Sequence, residues 1–225
     1  MTQPTEYGGS AAGTMELTIV RDTLAASQAP HRQLIFGPGP GVLAGAQGDL
    51  RTTHLEPLLR GEKRAGFGFT EPDDAAAPTT AIADGDHWVI NGQKSYVTGG
   101  SDASFINTLV QIPDAGPALI VVDCDAPGVT LTRRFESLDG SHHAAFAFEN
   151  VRVPANHLIG KPGEGLPRAM RQIGDTRLAI AAQCAGTLRW VDGYLSDYLR
   201  KPDRSGKPRG DKEGVRLRYA DARIS

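Results

Sequence analysis

Cysteine is scarce: the 225 residues hold only Cys124 and Cys184, at a spacing that fits neither a disulfide framework nor a Cys-based zinc site. That usage suits a reducing compartment. Long apolar runs are missing too. Stretches such as Ala118-Leu-Ile-Val-Val122 fall far short of the ~20 residues that span a bilayer, so no membrane span is expected. No apolar segment follows Met1, so no secretory signal is expected and the cytoplasm is the expected location. A nucleotide-binding GxGxxG after a strand, a GxxxxGK[ST] loop, an HExxH zinc pair and a GxSxG nucleophile elbow are all absent. His142-His143 is the one histidine pair adjacent in sequence. Neighbours on a strand point to opposite faces, so no metal site is expected. Asp73-Asp74 beside Pro72 reads as a solvated turn.

Overall charge is small, at −2, with 40% hydrophobic, 22% charged and 6% aromatic residues, the profile of an ordinary globular chain able to bury a core. The charge is unevenly placed. Leu199 to Ser225 holds nine Lys or Arg against four Asp or Glu. Such a tail suits an anionic partner, or it is a solvated, poorly ordered segment, the reading favoured by Pro202, Gly206, Pro208, Gly210 and Gly214. Only Tyr219 interleaves with those charges, so nucleic-acid binding is not expected.

Three zones follow one another. In residues 1–62, Thr14 can cap a helix carrying Met15, Ile19, Val20 and Leu24, and the glycine- and proline-rich 37–48 reads as loop. Residues 63–162 are β-rich. Asp84-Gly85 and Asn91-Gly92 read as hairpin turns, and strands are expected over Phe105–Ile112, Ala118–Asp123, Val129–Arg134 and Ala144–Val153. In 163–225, apolar residues from Leu166 to Leu195 recur at helical spacing, which predicts one long amphipathic helix between Arg168 and Arg200. Gly174 and Gly186 within it are candidate points of close backbone approach.

One set of segments occurs in a fixed order: Tyr7-Gly8-Gly9, Phe67-Gly-Phe-Thr-Glu-Pro72, Ile90-Asn-Gly-Gln-Lys-Ser-Tyr-Val-Thr98, Phe148-Glu-Asn-Val-Arg-Val-Pro154, Leu158-Ile-Gly160, Gly163-Glu-Gly165 and Asp175-Thr-Arg177. In order and spacing, from about Pro4 to Ala222, the set resembles the acyl-CoA dehydrogenase family. The resemblance implies an α+β chain: a partial N-terminal helical segment (1–62), a middle antiparallel β-barrel that binds flavin (63–162) and the start of a C-terminal helical bundle (163–225). It implies a member shortened at both ends. It also implies FAD as cofactor and an acyl-CoA thioester as substrate, oxidised to the 2-enoyl-CoA with electrons passed to a separate acceptor. Self-association or pairing with a related subunit is expected, because an interrupted bundle leaves an apolar helix face uncovered.

By the same resemblance Phe67, Phe69 and Thr70, together with Tyr96, Val97 and Thr98, hold the flavin ring, since a planar ring needs a flat apolar wall and a few fixed donors. Ala76 lies in the turn that meets the FAD pyrophosphate and the substrate, and Asp175, Thr176 and Arg177 meet the CoA portion of the substrate. The chain departs from the pattern at several points. Ala76 stands where the family has serine, beside Asp73 and Asp74. Pro202 and Ser205 stand at the arginine and phenylalanine of an Arg-x-x-Phe-Gly motif. Thr176 occupies the position of the catalytic glutamate of one branch, and the glutamate of the other branch lies beyond Ser225, so no catalytic base is assigned. Two rival readings are a non-catalytic subunit that needs a fuller partner chain and a flavin monooxygenase or oxidase of the same fold.

Overall fold

Eight strands form one sheet in the computed structural model, which describes residues 1–138 and 140–224. They are β1 (Ala65–Gly68), β2 (Thr80–Asp84), β3 (His87–Thr98), β4 (Phe105–Ile112), β5 (Gly116–Asp123), β6 (Val129–Glu136), β7 (His142–Pro154) and β8 (Leu158–Ile159). The pairing order is β6-β7-β3-β1-β4-β5-β8, with β2 joined to both β3 and β4. β1 and β2 thus share the space between β3 and β4: β1 meets the Thr98 end of β3, and β2 meets His87–Asn91. The expected antiparallel barrel needs one refinement, because β4 runs parallel to both β1 and β2. A four-residue strand such as β1 carries no signal of direction in its own sequence.

Period-two alternation explains how the sheet makes a core. Ile90 and Val97 of β3, Ile106 and Val110 of β4, Ile120 and Val122 of β5, and Phe146, Phe148, Val151 and Val153 of β7 converge on a single inner cluster. The intervening Phe105, Leu119 and Val121 face outward and are equally buried, against Val42, Leu43, Leu50, Leu55, Leu58, Leu59 and Ala169. β5 is covered on both faces, so its sequence is an apolar run rather than an alternation.

Asp84-Gly85 turns the chain as expected, with Asp84 opposite His87. Asn91-Gly92 does not. β3 runs straight through it, and the pair forms an irregularity in the ladder with β7, where Gly92 takes φ +142° and the Asn91 side chain accepts the Asn150 N–H at 2.8 Å. The positive φ that glycine permits serves a bulge here instead of a hairpin.

The helices are α1 (Thr14–Ala26), α2 (Gly48–Leu50), α3 (Glu56–Leu59), α4 (Gly165–Arg200) and α5 (Glu213–Ile224). A π-helical turn, Arg51–Leu55, joins α2 to α3. Gly13, not Thr14, sits at the N-cap of α1 without a side-chain bond. The basic tail is ordered rather than loose. Lys212 pairs with Asp203 at 2.9 Å, Arg223 with Asp192 at 3.2 Å, the Tyr219 hydroxyl donates to Asp192 at 2.7 Å, and Arg209 lies over the Tyr198 ring. Hydrogen bonds from Ser205 and Lys212 hold the Asp203 carboxyl well below its ordinary value. Lys212, Arg223 and Arg209 thus find partners within the chain.

Packing divides the chain into two units, one built from Thr2–Ala11 and Gly37–Gly174, the other from Met1, Ala12–Phe36 and Asp175 onward. The two glycines of α4 differ. A Cβ on Gly186 would lie 2.1 Å from the Asp22 carbonyl oxygen of α1, whereas one on Gly174 meets nothing within 4 Å. Gly174→Ala is expected to stabilise by about 0.5–1 kcal/mol through helix propensity. Gly186→Ala is expected to destabilise by roughly 1–3 kcal/mol, because the overlap outweighs that gain. Thermal melts of the two variants that moved in the same direction would refute this.

Candidate functional site

The short β1 strand sorts its residues by size. A Cβ on Gly66 would come within 2.9 Å of Val97 and one on Gly68 within 2.9 Å of Ile106. Only glycine fits on that inner face, which sends Phe67 to the outer one. The Phe67 and Phe69 rings stack with centroids 6.0 Å apart. Thr98 is the register partner of Phe67, and both Thr98 and Thr70 are exposed.

Tyr96 sits at the second irregularity of β3, between Lys94 and Val97, with φ +52°. That geometry turns its ring outward, 61% exposed, where it stacks on Phe135 at 4.7 Å. The Arg133 guanidinium lies 4.7 Å from the centroid of the same Phe135 ring. Val97 follows and is fully buried in the inner core, so only its backbone faces the wall. Six of the expected flavin residues are therefore placed in one unit, and five of them present side chains away from the inner core.

A buried ion pair anchors the loop that follows Phe69. Lys94, whose side chain is 2% exposed, donates to the Phe69 carbonyl at 3.2 Å and to Glu71 at 3.0 Å. Glu71 accepts the Thr79 N–H at 2.6 Å, the Thr79 hydroxyl donates to the Gln93 carbonyl, and Ser95 N–H donates to the Thr70 carbonyl at 2.8 Å. Burial pushes the Lys94 ammonium pKa down, only partly offset by Glu71. Burial alone would push the Glu71 carboxyl up, but Thr79 and Lys94 together outweigh it and hold it below its ordinary value. Both ends of the loop are fixed, while Asp73, Asp74, Ala76 and Ala77 between them are exposed. This pair was not foreseen, because its members lie 23 residues apart in a sequence full of ordinary charges.

Asp175, Thr176 and Arg177 are exposed on α4, in the other unit. Arg177 needs no buried partner there. Cys124 offers no nucleophile, since burial pushes its thiol up to about 12, with Asp123 and Asp125 adding to the effect.

A second constellation was also missed. His54, on the π-helical turn, Asp123, at the end of β5, and His157, just after β7, bring ligand-capable atoms within 4.8 Å of one another. The contact with His54 holds the Asp123 carboxyl below its ordinary value against the opposing effect of burial, and burial lowers the His157 imidazole. No spacing motif links positions 54, 123 and 157, so pairing through the fold is the only thing that joins them. His142 and His143, the pair visible in the sequence, lie on β7, one exposed and one half-buried.

The wall suits a planar aromatic ligand: two stacked phenylalanines, an outward tyrosine and two exposed hydroxyls, Thr98 on β3 and Thr70 just past β1. The loop from Asp73 to Ala77 offers a pyrophosphate no side-chain donor, only backbone N–H groups.

Two family models match the chain: the acyl-CoA dehydrogenase middle domain over residues 66–151 and the acyl-CoA dehydrogenase C-terminal domain over residues 163–225. The chain is 28% identical to the Bacillus subtilis protein named Probable acyl-CoA dehydrogenase YngJ, covering 97% of this chain and 61% of that one. It is 31% identical to cyclohexane-1-carbonyl-CoA dehydrogenase of Syntrophus aciditrophicus, covering 92% and 58% respectively. The crystal structure of a probable acyl-CoA dehydrogenase from Mycobacterium abscessus superposes with a TM-score of 0.83 at 28% identity, over all of this chain and 63% of that one. The chain thus spans about three fifths of the length of these relatives.

Proposed function

Since the chain belongs to the acyl-CoA dehydrogenase family, we propose that it takes part in FAD-dependent α,β-dehydrogenation of an acyl-CoA thioester, as a cytoplasmic protein that associates with itself or with a related subunit. The observation that carries this reading is the wall made by Phe67, Phe69, Thr70, Tyr96 and Thr98. Bound FAD would supply a two-electron acceptor. The side chains of Phe67, Phe69 and Tyr96 would cover one face of the ring, the hydroxyls of Thr70 and Thr98 would hydrogen-bond its polar edge, and Val97 would contribute backbone only. The Lys94–Glu71 pair would keep the strand end rigid under that ring.

Ala76 would leave the pyrophosphate to backbone donors, and Asp175, Thr176 and Arg177 would meet the CoA portion. In this reading, residues 1–62, 63–162 and 163–225 correspond to the N-terminal helical, flavin-binding and C-terminal helical parts. The electrons would pass to a separate acceptor. Thr176 is not a base at neutral pH, so proton removal from the substrate does not fall to it.

The test is the visible absorption of the purified protein, before and after FAD is added, followed through gel filtration. Flavin bands that travel with the protein support the reading, and a colourless protein that ignores FAD removes it. Tyr96→Asn keeps a residue that tolerates positive φ and deletes the ring. It is expected to weaken FAD binding roughly tenfold. Ala76→Ser is expected to tighten it about three- to tenfold by restoring one hydroxyl donor. Fluorescence titration measures both, and an unchanged affinity in Tyr96→Asn would remove that residue from the wall.

A further inference from the structure

We propose that His54, Asp123 and His157 form a binding site for a divalent transition-metal ion, with zinc the best match, which ties the π-helical turn to the rim of the sheet. Nothing in the proposed flavin chemistry uses these residues. The Thr53 hydroxyl has one proton and donates it to the Asp49 carbonyl at 2.6 Å. Its contact with His54 Nδ1 at 2.8 Å therefore needs the proton on Nδ1. His54 Nε2 then turns a lone pair toward Asp123 Oδ1 at 3.0 Å. Two acceptors face each other, and a cation must lie between them, either a proton or a metal.

His157 supplies the third donor. Its Nδ1 donates to the Val121 carbonyl at 3.0 Å, which leaves Nε2 as its lone-pair nitrogen. Both imidazoles thus have the second-shell arrangement of metal-bound histidines, with one ring nitrogen fixed by a protein oxygen and the other free to ligate. Two imidazoles and one carboxylate suit zinc in a four-coordinate site whose last position holds water. Ligand atoms at zinc distances stand roughly 3.3 Å apart in a tetrahedron. His54 and Asp123 are already near that spacing, and one ligand-capable atom of each of the three residues lies within 4.8 Å of the other two. His54 is 2% exposed, and its ring packs edge-on against Phe105 and His157, so it is held in place. Lys63 approaches Asp123 at 4.0 Å on a partly exposed side chain and has room to withdraw.

The experiment is zinc titration of the full chain after chelator treatment, read as stoichiometry by mass spectrometry and as a shift in melting temperature. One zinc per chain and a higher melting temperature with zinc are expected. His157→Asn and Asp123→Asn, on partly exposed side chains, are expected to lower zinc affinity at least about a hundredfold while leaving the circular dichroism spectrum unchanged. His142→Asn is expected to leave affinity as it is. A wild-type chain that binds no zinc overturns the proposal and leaves a proton-bridged His54–Asp123 pair. Zinc held equally well by His157→Asn and Asp123→Asn, or lost in His142→Asn, overturns it too.

Discussion

Glu71→Ala is expected to destabilise the sheet unit by about 3–5 kcal/mol, because it strands the Lys94 ammonium without its counter-charge at a site that water hardly reaches. The Phe69 carbonyl remains as a partner, but a neutral oxygen does not balance a charge. Lys94→Met is expected to cost much less, since Glu71 is partly exposed and can turn to water. The double variant Glu71→Ala/Lys94→Met is expected to recover most of the loss, because apolar replacement of a buried pair is often neutral. Urea denaturation of the three variants measures the cycle, and additive losses in the double variant would show that the two groups do not interact.

The same pair sets a pH dependence. The folded Glu71 carboxyl lies below its ordinary 4.5. Its contribution is therefore fully present above that value and is lost as pH falls through the folded one. Lys94 acts at the other end. Its folded pKa lies below 10.5, so its burial costs stability at neutral pH, and the cost fades as pH rises toward that value. Between about pH 5 and 3 the wild type is expected to lose stability more steeply than Glu71→Gln. Equal slopes in denaturant titrations over that range would exclude Glu71 as the group responsible.

What the sequence made legible was what local pattern encodes. β4 was bounded correctly from its residues alone, and β5 to β7 within two residues at each end, because alternation and flanking turn residues mark such strands. α4 was legible because a 3.6-residue period sustained over many turns has no β counterpart. Gly186 carried a packing signal, and Gly174 looked the same in sequence but meets nothing. The parallel seat of β1, the Lys94–Glu71 anchor and the His54–Asp123–His157 set were invisible for one reason: each is a relation between distant segments that only the folded chain brings together. The proposed flavin wall rests on ordered motifs and family resemblance, whereas the bulge that turns Tyr96 outward has no sequence mark, since nothing in a sequence signals a tyrosine at positive φ.

Gly92→Ala joins these themes, because Asn91-Gly92 was the turn that proved to be a bulge. At φ +142° the backbone is open only to glycine, and a Cβ there would lie 2.5 Å from Thr79 Cα. The strain costs about 1–3 kcal/mol, and the overlap with backbone costs a similar amount, so a loss of about 3–5 kcal/mol is expected. Gly85→Ala is the control. Gly85 also has positive φ, +63°, but no neighbour within 4 Å, and only the smaller conformational cost of about 1–2 kcal/mol applies. The two variants should differ in function as well. Displacing Thr79 disturbs the N–H bond to Glu71 and the hydroxyl bond to Gln93 that close the loop after Phe69. Gly92→Ala is thus expected to weaken FAD binding in molecules that remain folded, and Gly85→Ala, at the far hairpin, is expected to leave it unchanged. Equal denaturation midpoints for the two would mean that β3 can flatten its bulge. In that case Thr79 does not depend on Gly92 for its position, and the loop's rigidity must come from Lys94 and Glu71 alone.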